Sequence, residues 1–216
     1  MNQTTALREQ ICLLAKSLFD RGLTHGSTGN ISARTTDGGL LVSPTGACFG
    51  RLDPARLSHF NVTGELIDGD APTKEMPLHT AFYDTRSTAG AVVHLHACHS
   101  VAWSMMPDAD EDNFLPALTP YGLMKLGKVK LLPFFLPGDP EMGEAVRGLA
   151  GKRSAVMLAN HGPVVAGKDI EAACNAIEEL EDSARLAMML RGVEARMLNT
   201  DQVAAVVKRF DVEWED

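Results

Sequence analysis

Hydrophobic positions follow two different patterns along this chain, and together these patterns predict an α/β protein. In residues 5–21 apolar side chains return every three or four positions, which indicates an amphipathic helix. Residues 90–96 form a continuous apolar, β-branched run that predicts a buried strand. The other predicted strands cover residues 31–33, 40–43, 129–135, 155–159 and 163–166.

Helix-start residues separate these strands. Pro77 is suited to the first turn of a helix that runs to about residue 84. Asp169 is the expected cap of the longest helix, which ends near residue 191, and Thr200 is the expected cap of the last one. Helices that flank strands joined by short turns predict an α/β fold with a mixed or antiparallel sheet covered by helices. No repeat or linker interrupts the pattern, so we expect a single domain over residues 1–216.

Composition narrows the range of partners and compartments. A formal net charge of -8 provides no electrostatic footprint for nucleic acid. No apolar run approaches the roughly 20 residues that cross a bilayer, and Arg8 and Glu9 argue against a signal peptide. The four cysteines contain no CxxC pair, which favours a reducing compartment. We therefore expect a cytoplasmic protein without membrane or nucleic-acid partners.

Three histidines are candidate metal ligands. His94 and His96 lie two residues apart in a predicted strand, so their imidazoles should share one face. His161 follows another strand in a turn. Three imidazoles with an open fourth position are the usual pattern of a catalytic zinc site. His96 paired with His99, a helical spacing, is an alternative.

A carboxylate and two further polar residues surround the predicted helix start at Pro77. Glu75 lies just before that helix, where backbone donors are free. It is either a functional carboxylate or an ordinary solvated glutamate. His79 and Tyr83, four residues apart on the same helix, are expected to pack beside the site or support it. The acidic run 178–182 is expected to be a solvated helix face.

Three polar turns offer backbone N–H groups, hydroxyls and one lysine to an anion such as phosphate. None of them matches a P-loop or a dinucleotide-binding fingerprint. The residues concerned are Gly29 and Asn30, Thr45 and Gly46, and Thr73 and Lys74.

Taken together, these segments resemble the class II aldolase/adducin family. The resemblance extends over residues 26–167, and the flanking helices fit it as well. It is carried by short motifs in the family's order, namely Gly29-Asn30-Ile31-Ser32, Ser43-Pro44-Thr45-Gly46, Glu75 followed by His79, His94-Leu95-His96, and Asn160-His161-Gly162.

The resemblance implies a three-layer α/β/α fold with a mainly antiparallel central sheet covered by helices. It also implies a role for each candidate residue. His94, His96 and His161 would bind one zinc ion per subunit, and Glu75 would be a fourth ligand or a proton-transferring group. Tyr121 would match a tyrosine acid that reaches the site of a neighbouring subunit in a homotetramer. The polar turns would hold the substrate phosphate. Where aldolases of the family carry a pair of small hydroxyl residues before the glutamate, this chain has Thr73 and Lys74, and the extra cation suits a substrate with a carboxylate.

The implied activity is a zinc-dependent carbon–carbon cleavage. The branch of the family that this chain resembles decarboxylates a 3-oxo-tetronate 4-phosphate to dihydroxyacetone phosphate and CO2 through a metal-stabilised enediolate. A sugar-phosphate aldolase of the L-fuculose-phosphate type and a pentulose-phosphate epimerase are alternatives that share this enediolate chemistry. A non-catalytic adducin-like module is a further alternative, but it would not need the histidines.

Overall fold

A computed structural model describes residues 3–214. Its helices are α1 (Gln3–Asp20), α2 (Met76–Thr85), α3 (Cys98–Ser104), α4 (Pro120–Leu126), α5 (Glu141–Gly148), α6 (Ile170–Leu190) and α7 (Thr200–Phe210). Its strands are β1 (Asn30–Arg34), β2 (Leu40–Val42), β3 (Ser58–Phe60), β4 (Leu66–Asp68), β5 (Ala91–His94), β6 (Lys130–Leu132), β7 (Ala155–Leu158) and β8 (Gly162–Gly167).

The eight strands form one sheet in the order β4-β3-β2-β1-β5-β8-β7-β6. Every neighbouring pair is antiparallel except β6 and β7, which are parallel. Short turns join β1 to β2 and β7 to β8, as antiparallel neighbours allow. The predicted α/β class with a mainly antiparallel sheet is confirmed.

Alternating side chains of the central strands supply two hydrophobic layers, one on each face of the sheet. On β5, Ala91 and Val93 belong to the cluster that contains residues of α1, α3 and α6, while Val92 belongs to the cluster that contains residues of α2 and α5. His94 shares the face of Val92 because it lies two residues further along the strand. The prospective site therefore lies between the sheet and α2.

Several local expectations are confirmed and others are wrong. Asp169 caps α6 by accepting a hydrogen bond from the backbone N–H of Ala172. The last helix, however, is capped by Asn199, whose side chain forms a reciprocal capping box with Gln202, and Thr200 is its first residue. The strand predicted over residues 90–96 ends at His94. Within residues 3–214, no helix combines the length and apolar character that crossing a bilayer requires.

Candidate metal and acid–base site

The structure brings the three predicted histidines together. His94 is the last residue of β5, His96 follows just beyond the strand, and His161 occupies the turn between β7 and β8. Their potential ligand nitrogens all lie within 4.8 Å of one another. The Nε2 atoms of His96 and His161 are 3.1 Å apart. Two segments that are far apart in the sequence thus place three imidazoles close enough to bind one metal ion.

Strand pairing and one glycine set this approach. β5 and β8 are antiparallel, with His94 opposite Val164. Asn160 has a left-handed backbone with φ 59°, which turns the chain so that His161 faces β5. A Cβ on Gly162 would lie 2.0 Å from the carbonyl oxygen of Leu95, so only glycine allows the two backbones to come this close.

The environment keeps these imidazoles in the neutral form that binds metal. His94 Nδ1 donates a hydrogen bond to the Pro163 carbonyl at 2.9 Å, which leaves the lone pair on Nε2. That Nε2 is buried and has no hydrogen-bond partner among the described residues. Burial lowers the pKa of His94 well below its ordinary value, and burial together with the nearby His161 lowers the pKa of His96 to about 4.

Glu75 completes the cluster. It occupies the position before α2, but its side chain makes no cap hydrogen bond and points into the site instead. Its Oε2 lies 3.5 Å from His94 Nε2 and its Oε1 lies 3.4 Å from His161 Nε2. The side-chain amide of Asn30 donates to Oε2 at 2.6 Å. Three neutral imidazole nitrogens and one carboxylate are donors that zinc binds, and an unpartnered buried nitrogen is what such a site shows before a cation binds.

Two of the predicted phosphate-binding residues, Thr45 and Thr73, lie on two loops that backbone hydrogen bonds pair with each other. The Thr45 N–H donates to the Ala71 carbonyl at 3.0 Å, and the Thr73 N–H donates to the Ser43 carbonyl at 3.3 Å. Thr45 and Gly46 line an open cleft of about 600 Å³. This cleft is also lined by Arg51 and Arg56 and by two aspartates, Asp53 and Asp70, and the Arg56 guanidinium forms an ion pair with Asp70 at 2.6 Å.

The remaining predicted anion-binding residues have different surroundings. A Cβ on Gly29 would lie 2.8 Å from the His94 carbonyl oxygen, so this glycine supports the strand that carries the site. Thr73 is buried and accepts the N–H of Glu75, whereas Lys74 is exposed. Both polar atoms of the Asn30 side chain contact protein groups, so any contact of Asn30 with phosphate would fall to its backbone.

Tyr121 is not part of the histidine cluster within this chain. It lies on α4, which packs against α6 and α7, and its side chain is 61% exposed. A role in catalysis would therefore require another subunit to bring its own site to this surface.

His99 is not a member of the metal cluster, so the alternative pairing of His96 with His99 is not the one the structure forms. Its Nδ1 lies 2.8 Å from Glu181. Glu181 also accepts the backbone N–H groups of His99 and Ser100 at 2.8 and 2.9 Å, so this carboxylate holds the start of α3 just after His96. The expectation of a solvated acidic face is wrong for Glu181, which is buried because it satisfies these donors.

Ser32 belongs to one of the motifs that carry the family resemblance, but the sequence suggested no role for its side chain. It is buried and hydrogen-bonds both His79 and Tyr83 behind the cluster. The available signal was its spacing from Asn30, since residues two apart on a strand share a face.

The family model for the Class II Aldolase and Adducin N-terminal domain matches residues 9–188. The chain therefore belongs to this family. The match confirms the resemblance on which the sequence analysis relied.

Relatives place the chain more narrowly. It is 42% identical to the 3-oxo-tetronate 4-phosphate decarboxylase of Escherichia coli K12, covering 92% of this chain and 94% of that protein. It is 41% identical to the Cupriavidus necator protein of the same name, covering 99% and 100%. The crystal structure of YgbL from Klebsiella pneumoniae superposes with a TM-score of 0.91 at 42% identity, covering 95% and 100%. The L-fuculose phosphate aldolase of Methanococcus maripaludis strain S2 is 33% identical over 86% of this chain and 96% of its own.

Proposed function

We propose that this chain is a zinc-dependent decarboxylase that converts a 3-oxo-tetronate 4-phosphate into dihydroxyacetone phosphate and CO2. The chain is a carbon–carbon lyase, because it belongs to this family and aligns with decarboxylases of the family over nearly their whole length. The observation that supports the metal-dependent mechanism is the convergence of three histidine nitrogens within 4.8 Å beside Glu75. An adducin-like binding module would have no use for that cluster.

The proposed substrate carries a carboxylate at C1, a hydroxyl at C2, a ketone at C3 and a phosphate at C4. Loss of CO2 breaks the C1–C2 bond, and the electron pair left on C2 delocalises into the C3 carbonyl to give an enediolate. Uptake of one proton at C2 then yields dihydroxyacetone phosphate. When bound by His94, His96 and His161, zinc supplies a Lewis acid for the oxygens on which negative charge develops.

Glu75 is the proposed proton-transferring group. Its carboxylate is buried next to two of the metal-binding imidazoles and is held by Asn30, so it faces the position where the C2 and C3 oxygens would lie. A carboxyl group placed within hydrogen-bond reach can deliver the proton that C2 requires. Burial excludes bulk water, which protects the enediolate from uncontrolled protonation.

Lys74 is the proposed discriminator between substrates. It is exposed and directly precedes Glu75 in the sequence, and we propose that its charge binds the C1 carboxylate, which a ketose 1-phosphate lacks. Thr45 and Gly46, in the cleft that Arg51 also lines, are proposed to hold the phosphate. Binding of the carboxylate by Lys74 and of the phosphate by Thr45 and Gly46 would hold the substrate at both of its ends.

We also propose that the enzyme works as a homotetramer in the cytoplasm. The motivation is Tyr121, which is exposed on α4 and would act as an acid only in the site of a neighbouring subunit. Sedimentation analysis combined with mixing of Tyr121→Phe and Glu75→Gln subunits tests this arrangement. Mixed oligomers should recover activity that neither variant has alone.

The deciding experiment measures CO2 and dihydroxyacetone phosphate released from a 3-oxo-tetronate 4-phosphate, with and without a chelator. Equimolar release that the chelator abolishes and zinc restores is the expected result. Cleavage of a ketose 1-phosphate with no CO2 release would establish the aldolase alternative, which the Methanococcus relative motivates. Isomerisation of a pentulose phosphate, with neither product formed, would indicate an epimerase.

A further inference from the structure

A line of polar side chains leads away from Glu75 into the protein interior. Asn30 and Ser32 lie two residues apart on β1, and His79 and Tyr83 lie one turn apart on α2. The strand period and the helix period therefore align these two pairs along the β1–α2 interface. All four are buried, with His79 and Ser32 at 0% exposure. Apolar residues would pack such an interface at lower cost, so the polar line requires an explanation.

The four side chains are joined by consecutive hydrogen bonds. Tyr83 OH lies 2.8 Å from Ser32 Oγ, and Ser32 Oγ lies 2.7 Å from His79 Nδ1. His79 Nε2 lies 2.5 Å from Asn30 Oδ1, and Asn30 Nδ2 lies 2.6 Å from Glu75 Oε2. The chain of contacts ends on the carboxylate that faces the three imidazoles.

The chemistry of the last contact fixes the direction of every other one. A carboxylate oxygen accepts, so the Asn30 amide must turn its NH2 group to Glu75 and its carbonyl oxygen to His79. A neutral His79 must then carry its one ring hydrogen on Nε2 and accept on Nδ1. Ser32 must donate to that Nδ1, and Tyr83 must in turn donate to Ser32. All donors point towards Glu75, an arrangement in which each hydrogen bond polarises the next.

We propose that Tyr83, Ser32 and His79 are positioning residues that hold the Asn30 amide in one orientation and thereby fix the rotamer of the Glu75 carboxylate. Asn30 alone could rotate its amide, which would set its carbonyl oxygen against Glu75. The Nε2–H of His79 prevents this rotation because it requires an acceptor from Asn30. The inference rests on the proposed function in one respect only, namely that Glu75 acts in the reaction.

Two substitutions of His79 separate its donor from its bulk. His79→Gln can place an amide NH2 close to the position of Nε2, and so keeps a donor for Asn30. His79→Asn is shorter, places its amide near Nδ1, and leaves the Asn30 oxygen without that donor. For His79→Asn we expect kcat to fall about 10- to 100-fold, as for other residues that orient a site from behind. KM and bound zinc per subunit should change little, and His79→Gln should retain most of the activity.

A double-mutant cycle tests whether the effect travels through Asn30. In an Asn30→Ala background, His79→Asn should cause no further loss of kcat, because the amide that it orients is gone. Additive losses, or equal losses for His79→Gln and His79→Asn, would overturn the proposal. Thr85→Val is the matched control: it removes a side-chain hydrogen bond to the Ala81 carbonyl on the same helix, outside the polar line, and should leave kcat unchanged.

A spectroscopic readout judges the polar line independently of activity. Long-range ¹H–¹⁵N spectra of the full-length protein, assigned with His79→Gln, should show His79 as the neutral Nε2–H tautomer. Tyr83→Phe, which changes only one hydroxyl, should preserve this tautomer and lower kcat about twofold to fivefold through the weakened line. An Nδ1–H tautomer would refute the donor direction. Absence of turnover by the parent protein on every substrate would instead count against the proposed function, while the tautomer would still decide the positioning role.

Discussion

Gly162→Ala is a severe test of how the histidine cluster is built. The added Cβ would lie 2.0 Å from the Leu95 carbonyl oxygen and 3.1 Å from Cε1 of His94. Carbon–oxygen contacts need about 3 Å or more, so the two backbones must separate by roughly 1 Å. Leu95 lies between His94 and His96, and Gly162 directly follows His161. The separation would therefore fall on the distances between metal ligands.

The expected consequences differ for stability and function. A small-to-large change in a tight contact costs about 1–3 kcal/mol of unfolding free energy. A ligand displaced by about 1 Å can cost 100-fold in rate, so turnover and zinc affinity should fall much further than stability. Zinc affinity is measured by competition with a chromophoric chelator, stability by urea unfolding of the metal-free protein, and turnover by CO2 release.

Gly148→Ala is the matched control for this substitution. Gly148 ends α5, is exposed, and has no atom within 4 Å of an added Cβ. It should keep the zinc affinity and turnover of the parent and gain a few tenths to about 1 kcal/mol of stability from helix propensity. If Gly162→Ala behaved like this control, the close approach of the two backbones would not set the ligand spacing.

Three further outcomes are expected. Glu75→Gln should lower turnover at least ~100-fold with zinc still bound, since an amide cannot transfer the proton; near-normal turnover would remove Glu75 from that role. Burial lowers the pKa of His79 in the folded protein to about 3, whereas a histidine in the unfolded chain has a pKa of about 6.5. Between these two values the unfolded chain binds a proton at His79 and the folded protein does not. The contribution of neutral His79 to the free energy of unfolding is therefore fully present above pH 6.5 and falls as the pH is lowered. At pH 5 the metal-free protein should have lost about 2 kcal/mol of unfolding free energy through this residue. His79→Gln should flatten that part of the pH dependence of urea midpoints, and an unchanged slope would contradict the burial argument. Glu181→Ala should destabilise the protein by about 3 kcal/mol in urea unfolding, since it leaves the His99 and Ser100 N–H groups without their charged acceptor; an unchanged midpoint would mean that water replaces it.

Local sequence patterns were enough to predict that His94, His96 and His161 form one cluster, which the structure brings together. They did not locate the end of β5, which depends on a partner. Leu95 donates to the Pro163 carbonyl at 3.2 Å, but proline has no N–H to return, so the ladder stops at His94. His96 therefore reaches the site from outside the strand.

Helix α4 was missed for a different reason. It has only seven residues, too few to show a helical period. Its start was encoded in Thr119, which caps the N–H of Gly122, and in Pro120 at the first position. Burial of Glu181 could not be predicted either, because its backbone donors lie about 80 residues away in sequence. Such long-range donors have no signature in the local pattern.

The two faces of β1 have different roles: one contributes to the hydrophobic core, and the other carries polar side chains that lead to Glu75. On the opposite face of β1, Ile31 and Ala33 pack into the hydrophobic core. On the face towards α2, the same strand places Asn30 and Ser32, which contribute hydrogen bonds but little apolar burial. Burying polar side chains costs free energy unless every donor finds an acceptor, and here the last acceptor in the series is the Glu75 carboxylate. The proposed orienting of Glu75 therefore explains why β1 carries polar side chains on the face towards α2.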